Sequence, residues 1–195
     1  MNRNLIVSLL AGALIVAGCN IHSKHEDGEG HDKNVKIDTP LGGLNVRTDN
    51  VEAKDTGLSV YPGAVAKERT DRDHDEKKAN VNIDTPWFGL KVVALTYQSG
   101  DSQEKVWDYY KKELAKYGRV LECKPGSPDM DAQSNDKDEL TCREDKKNNF
   151  KYDSKGMSLK VGTQKKQRIV AIKPDGSGTE FSLVYVVTRE GKETL

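Results

Sequence analysis

Residues 90–118 read LKVVALTYQSGDSQEKVWDYYKKELAKYG and contain the clearest secondary-structure pattern in the chain. The first eight residues are rich in β-branched and aromatic side chains, which favour a strand. Asp101 followed by Glu104 predicts a helix start with Asp101 as the N-cap. An apolar stripe at helical spacing then predicts a helix over 102–117, ended by Gly118 where helices often carry a C-terminal glycine. The stripe consists of Val106, Trp107, Tyr110, Leu114 and Tyr117.

Four further runs after this helix have the composition and alternation of strands. These runs are residues 119–123, 157–161, 167–173 and 180–188. Pro174 to Gly178 supplies a hairpin turn between the last two runs, and Leu140 to Arg143 has the composition of a shorter strand. One strand, one long helix and then several strands predict an α+β fold. In this fold the helix packs on a mostly antiparallel β-sheet.

An internal repeat precedes this region. Residues 34–46 recur as residues 80–92, with nine of 13 positions identical. Each copy alternates apolar and polar residues on both sides of a Pro/Gly turn, which predicts two β-hairpins. We expect Trp87 and Phe88, in the second turn, to fold back over the helix as core. If they are exposed instead, paired aromatic side chains suit contact with a partner or a membrane.

The first copy of the repeat carries Leu41 and Gly42 where the second carries Trp87 and Phe88. It therefore buries less apolar surface, and we predict that it acts as an interaction element rather than as core. A lone hairpin is marginally stable in water, so its open edges favour pairing with another strand. That strand belongs either to the second copy in the same chain or to a neighbouring molecule.

The N-terminus has the pattern of a secretory signal peptide. Arg3 supplies a positive charge, and residues 5–17 form an apolar run too short to span a bilayer. Val16-Ala17-Gly18 places small residues directly before Cys19, an arrangement that resembles the lipobox of bacterial lipoproteins. The resemblance implies that the Cys19 thiol carries diacylglycerol and that the peptide is cut before it. The alternative is an ordinary signal peptide with an incidental cysteine.

The chain also resembles a group of predicted bacterial lipoproteins over nearly all of its mature length. The shared features are the lipobox, the polar segment after it, the repeated Ile-Asp-Thr-Pro block, the turn at Tyr61 to Ala64 and the helix start at Asp101. This resemblance carries over no activity and no catalytic residue. In Gram-negative lipoproteins an aspartate directly after the lipidated cysteine favours inner-membrane retention. Asn20 stands there, which implies the outer membrane, facing the periplasm.

These patterns predict three regions along the chain. Residues 1–18 form the signal peptide, and residues 19–56 form a lipidated flexible tether that includes the first hairpin. Residues 19–33 show no hydrophobic period, which is why we expect them to be flexible and solvated. Residues 57–195 form the globular α+β domain.

Cysteine usage agrees with an exported protein. Of three cysteines, lipidation uses Cys19 and leaves Cys123 and Cys142, an even number in an oxidising compartment. We predict that these two form a disulfide, with both cysteines on neighbouring strands. The alternative is a pair of metal ligands, but no other Cys or His lies nearby in the sequence.

The segment after Cys19 contains His22, His25 and His31 among four carboxylates. Imidazole and carboxylate groups bind zinc, copper or nickel, so this segment is a candidate for weak binding of a divalent transition metal. It lacks the ordered framework of a tight site, and the alternative is a solvated polar tether. No other cofactor is expected.

Charge and motifs exclude several function classes. Lys and Arg together number 31, as do Asp and Glu, so no net positive field attracts nucleic acid. No nucleophile elbow and no phosphate-binding loop occurs in its required context, so we expect no enzyme activity. The sequence instead predicts a non-enzymatic outer-membrane lipoprotein with a structural or interaction role in the envelope. Its expected partners are the membrane and either an envelope protein or a second copy. Periplasmic metal binding through the histidines is the alternative.

Overall fold

The computed structural model describes six ranges of the chain: residues 20–24, 34–48, 50–67, 78–125, 138–142 and 156–191. The strands are β1 Asn20–Lys24, β2 Asn34–Thr39, β3 Gly42–Arg47, β4 Val65–Ala66, β5 Lys78–Asp84, β6 Phe88–Ser99, β7 Leu121–Cys123, β8 Met157–Gly162, β9 Lys166–Asp175 and β10 Gly178–Glu190. Helix α1 spans Gln103–Ala115, and a short 3₁₀ helix spans Ala53–Thr56.

All strands join in one antiparallel sheet, in the order β1-β2-β3-β5-β6-β10-β9-β8-β7, with β4 paired to part of β6. The described ranges contain one α-helix, which packs on β8, β9 and β10. This confirms an α+β fold with a mostly antiparallel sheet. Within those ranges, no helix is long and apolar enough to cross a membrane.

The core lies between α1 and one face of the sheet. Alternate residues of the long strands point toward the helix and are buried, as the period of a strand requires. At its centre, the Tyr110 hydroxyl accepts a hydrogen bond from the backbone N–H of Tyr61 at 3.0 Å and donates one to the Ser59 carbonyl at 3.2 Å. These bonds fix residues 59–61 against α1, and the 3₁₀ helix before them packs on β6 and β10. Val51 and Ala53, on the tether side of the predicted boundary at residue 56, belong to this core.

The start of the helix differs from the expectation. The N-cap is Ser102, and it makes no side-chain capping bond. Asp101, predicted as the cap, instead accepts hydrogen bonds from the Tyr61 hydroxyl at 2.9 Å and from Lys105 at 2.8 Å. The tertiary contact with Tyr61 therefore overrides the local capping pattern.

The end of the helix also differs, because α1 stops at Ala115. Tyr117, predicted as part of the apolar stripe, is 42% exposed, and its hydroxyl donates to the Gly57 carbonyl. The Arg168 guanidinium lies 3.8 Å from the centre of the Tyr117 ring. Tyr117 thus packs against polar partners beyond the helix rather than inside the core.

The two copies of the repeat form hairpins β2–β3 and β5–β6, and β3 pairs with β5. Of the two pairings expected for the first copy, the structure shows the one within the same chain. Residues 20–24, part of the predicted tether, form β1 and pair with β2. The rest of that tether, and the signal peptide, lie outside the described residues.

The predicted disulfide is present, because Cys123 and Cys142 are bonded with their Cα atoms 5.4 Å apart. Cys123 ends β7, but residues 138–142 form turns and coil instead of the expected short strand. The two cysteines therefore do not lie on neighbouring strands. The segment is held by other bonds, from the backbone of Gln164 to the Asp138 carbonyl and from Arg119 to Glu139.

Candidate functional site

The sheet has a second apolar face, which points away from the helix. Because partners across antiparallel strands share a face, the strand register assigns its members. We call this set of fourteen side chains the open face. It consists of Val35, Ile37, Leu44, Val46, Ala79, Val81, Ile83, Leu90, Val92, Ala94, Ile169, Ala171, Val184 and Val186.

Burial distinguishes the two faces. The helix-facing residues of β6, such as Val93 and Leu95, are buried, whereas every member of the open face is only half-buried. Partial burial is what neighbouring strands alone provide, and the one α-helix of the described residues packs on the opposite face. A sheet usually covers an apolar face with another element, so a half-buried apolar face is a candidate binding surface.

The charge pattern matches this assignment. On β2, β3, β5 and β6 no charged residue occupies an open-face position. The reverse face of β2, β3 and β5 carries the polar and charged residues of those strands. They are Asn34, Lys36, Asp38, Asn45, Arg47, Lys78, Asn80, Asn82 and Asp84. In this half of the sheet the apolar side is therefore the side that faces away from α1.

The disulfide covers one edge of the open face. Cys123 pairs across the strands with Ser158, which pairs in turn with the open-face residue Ala171. Lys160, next on the same face of β8, donates a hydrogen bond to the Thr141 carbonyl at 2.9 Å. Residues 138–142 thus lie over the β7–β8 edge.

A second apolar feature stands at one end of the sheet. Leu41 is 62% exposed, Trp87 66% and Phe88 40%. They sit in the neighbouring turns of the two hairpins, because β3 and β5 pair up to Gly43 and Asp84. We call these three residues the tip. The expectation that Trp87 and Phe88 fold back over the helix as core is wrong, since both side chains are exposed.

The repeated Asp-Thr-Pro block builds the same turn in both copies. The Thr39 hydroxyl donates to the Gly42 carbonyl at 2.7 Å, and the Thr85 hydroxyl donates to the Phe88 carbonyl at 2.8 Å. Gly42 has φ 134°, and a Cβ at that position would lie 2.2 Å from the Asp84 carbonyl oxygen. The close approach of the two turns therefore requires glycine there.

The second turn is also tied to the end of β10. The backbone N–H of Gly191 donates to the Trp87 carbonyl at 3.0 Å, and Arg189 donates to the Thr85 carbonyl at 2.9 Å. Arg189 is buried, and it also forms an ion pair with Asp84. The backbone that presents the exposed Trp87 is therefore fixed on both sides.

The opposite end of the sheet is charged. Glu180 is buried and pairs with Lys173 at 2.8 Å and with Lys67. Lys67 also pairs with Asp175 at 3.0 Å. Burial raises the pKa of Glu180, but hydrogen bonds from Lys173 and Lys67 outweigh it, and the pKa lies below its ordinary value. The carboxylate is thus stabilised in its charged form.

Of the other predicted site residues, the structure describes only His22. Cys19, His25 and His31 lie outside the described residues, and His22 lies in β1, opposite Lys36 in the register. Among the described residues, no group of three or more His, Cys, Asp or Glu side chains is arranged to hold a metal ion. Metal binding by the three histidines stays a prediction.

The open face was missed by reasoning from the sequence. The signal was present, because apolar residues alternate in both copies of the repeat at equivalent positions. Alternation shows that one side of a hairpin is apolar, but only the strand register shows that this side faces away from the helix. Comparisons with protein-family models, with curated proteins and with solved structures find no match for this chain.

Proposed function

We propose that this protein is a non-enzymatic lipoprotein of the outer membrane whose periplasmic α+β domain self-associates through the open face. Cys19 supplies the lipid anchor, and a second copy of the chain is the protein partner. The observation that carries this proposal is the open face itself, fourteen apolar side chains left half-buried on six strands.

A second copy suits this surface because sheets bury apolar faces by packing against each other. The open face has no charges on β2, β3, β5 and β6, so two identical faces meet without repulsion there. Six strands spaced by about 4.8 Å and about 20 Å of strand length give a footprint of roughly 500 Å² in plan. This area is below the about 800 Å² per partner of a standard interface, which suits an association that is weak in free solution.

The rest of the mature sequence offers little to cover this surface. Residues 25–33 and 68–77 contain no Ala, Val, Leu, Ile, Met, Phe, Tyr or Trp. Residues 126–137 contain Pro128, Met130 and Ala132, residues 143–155 contain Phe150 and Tyr152, and residues 192–195 contain Leu195. These side chains are too few to replace the contacts of fourteen apolar residues.

Lipid anchoring strengthens the proposal. Two or three acyl chains hold a protein stably on a membrane, whereas one chain holds it only marginally. Molecules confined to one membrane meet at a much higher effective concentration than in free solution. A self-association that is weak in solution therefore becomes strong on the membrane.

Self-association is tested on the mature chain with Cys19→Ser, by sedimentation equilibrium over a range of concentrations. Val92→Lys and Val186→Lys place a charge in the middle of the open face, and they should shift the protein to a monomer. Asn82→Lys places the same charge on the reverse face and serves as the matched control, which should associate like the parent. A parent that is monomeric at millimolar concentration, or a dimer indifferent to both open-face lysines, would refute self-association through this face.

Lipidation is tested separately in cells that export the full chain. Wild-type protein should incorporate a clickable fatty acid and fractionate with the outer membrane, and Cys19→Ser should do neither. Unchanged labelling of the Cys19→Ser variant would show that the anchor is elsewhere.

A further inference from the structure

The tip lies at the end of the sheet where the chain enters from the proposed anchor. Asn20, the first residue of β1, directly follows Cys19 in the sequence and pairs with Asp38. Asp38 is the second-last residue of β2, and the turn with Leu41 follows it. Successive Cα atoms are about 3.8 Å apart, so a lipidated Cys19 holds this end of the sheet at the membrane.

The tip combines three features that suit a bilayer surface. Its side chains are large, apolar and exposed, and they include a tryptophan, which favours the interface between water and lipid. Its backbone is fixed by the hydrogen bonds of Thr39, Thr85 and Arg189, so little conformational entropy is lost when the side chains insert.

The distribution of charge agrees with this orientation. Glu180, which is buried, lies at the end of the sheet far from the tip, together with Lys67, Lys173 and Asp175. The register shows this, because Glu180 pairs with Gln98 and Glu190 pairs with Phe88. The end of the sheet adjacent to the anchor thus exposes the three apolar side chains of the tip, beside the Asp84–Arg189 ion pair. The other end is charged and suited to water.

We propose that Leu41, Trp87 and Phe88 insert into the interfacial region of the bilayer that carries the lipid anchor, and so hold the sheet upright on the membrane. This inference rests on the proposed lipidation of Cys19. It assigns a role to both copies of the repeat, since each supplies an apolar residue at the equivalent position of its turn. The occupant of the tip is lipid rather than protein.

The upright orientation also constrains the dimer. Two molecules in one membrane can pack their open faces together only if both tips point the same way. A two-fold axis parallel to the strands satisfies this condition, and an axis perpendicular to the strands in the plane of the interface does not. The tip and the open face are therefore compatible in one assembly.

Tryptophan quenching tests the inference on the full mature chain. The chain contains only two tryptophans, and Trp107 is buried in the core. The protein is attached to vesicles of phosphatidylethanolamine and phosphatidylglycerol that contain brominated phosphatidylcholine. Attachment uses a maleimide lipid on Cys19, the only thiol outside the disulfide. Emission is compared with that of the Trp87→Phe variant, whose signal comes from Trp107 alone.

Brominated lipid should quench the Trp87 component at least twofold and shift its emission to the blue. The matched control is Val65→Trp in the Trp87→Phe background. Val65 is 55% exposed and pairs with Gln98 at the charged end, so a tryptophan there should not be quenched. Equal quenching at both positions, or none at Trp87, overturns the inference.

The two proposals fail in different ways. Absence of fatty-acid labelling in cells removes the natural anchor but leaves the quenching result on coupled protein unchanged. Efficient labelling together with an unquenched Trp87 preserves the lipoprotein and removes the membrane-inserted tip.

Discussion

Replacement of both disulfide cysteines, Cys123→Ser with Cys142→Ser, should lower stability by an amount set by the loop that the bond closes. The two cysteines are 19 residues apart. In the chain-entropy model, a loop of this size corresponds to about 3 kcal/mol at 25 °C, because the bond restricts the unfolded chain. For a chain of this length, about 3 kcal/mol corresponds to a fall in Tm of roughly 6–12 °C.

The native contacts of the loop support this magnitude. The hydrogen bonds from Gln164 to Asp138 and from Arg119 to Glu139 do not involve the disulfide. Residues 138–142 therefore have contacts that remain in the native state after substitution, and the main effect falls on the unfolded state.

The assay is urea unfolding of the mature chain followed by far-UV circular dichroism, with and without reductant. Reductant should lower the midpoint of the wild type to that of the double variant and should leave the variant unchanged. A loss below about 1 kcal/mol, well under the chain-entropy figure, would refute the reasoning. It would show that the unfolded chain is already restricted in this region.

Three other predictions concern the core, the charged end and the first repeat. Tyr110→Phe should cost about 1–3 kcal/mol in thermal unfolding, because the N–H of Tyr61 loses its buried acceptor. Glu180→Gln should cost about 1.5–3 kcal/mol at pH 7, because hydrogen bonds to a charged group are lost. The wild type should be more stable than the variant above about pH 4.5. This difference should disappear as the pH falls through the lowered pKa of Glu180, so the free energies of unfolding of the two proteins converge in acid. Deletion of residues 20–48 removes β1–β3, which contribute no residue to the core cluster. The shortened chain should therefore still unfold cooperatively on heating, but it should self-associate more weakly in sedimentation equilibrium.

Much of the fold follows from local patterns. The helix was predicted within two residues at each end, and the strands that became β6, β8, β9 and β10 were predicted from their composition. These elements have strong short-range signals, such as the apolar stripe and the Pro/Gly turns. The disulfide follows from the even number of cysteines left after Cys19 and from the signal-peptide pattern, and both are read from the sequence alone.

The errors arose where a distant residue competes with a local pattern. Asp101 has the position of an N-cap, but the Tyr61 hydroxyl lies 40 positions away in the chain and binds it instead. Tyr117 fits the helical stripe, but Arg168 and Gly57 hold it outside the core. Sequence spacing contains no information about these partners.

The sequence by itself determined that both copies of the repeat form hairpins, and that β6 and β10 are strongly apolar. Only the tertiary structure decided which apolar face the helix covers. Both faces of β6 carry apolar side chains, so the period of the strand is the same whichever face packs on α1. The choice depends on the long-range register of β10, β9 and β8, where the helix binds. That register leaves Val92, Val184 and their neighbours on the open side, because one helix can bury only one face of a sheet.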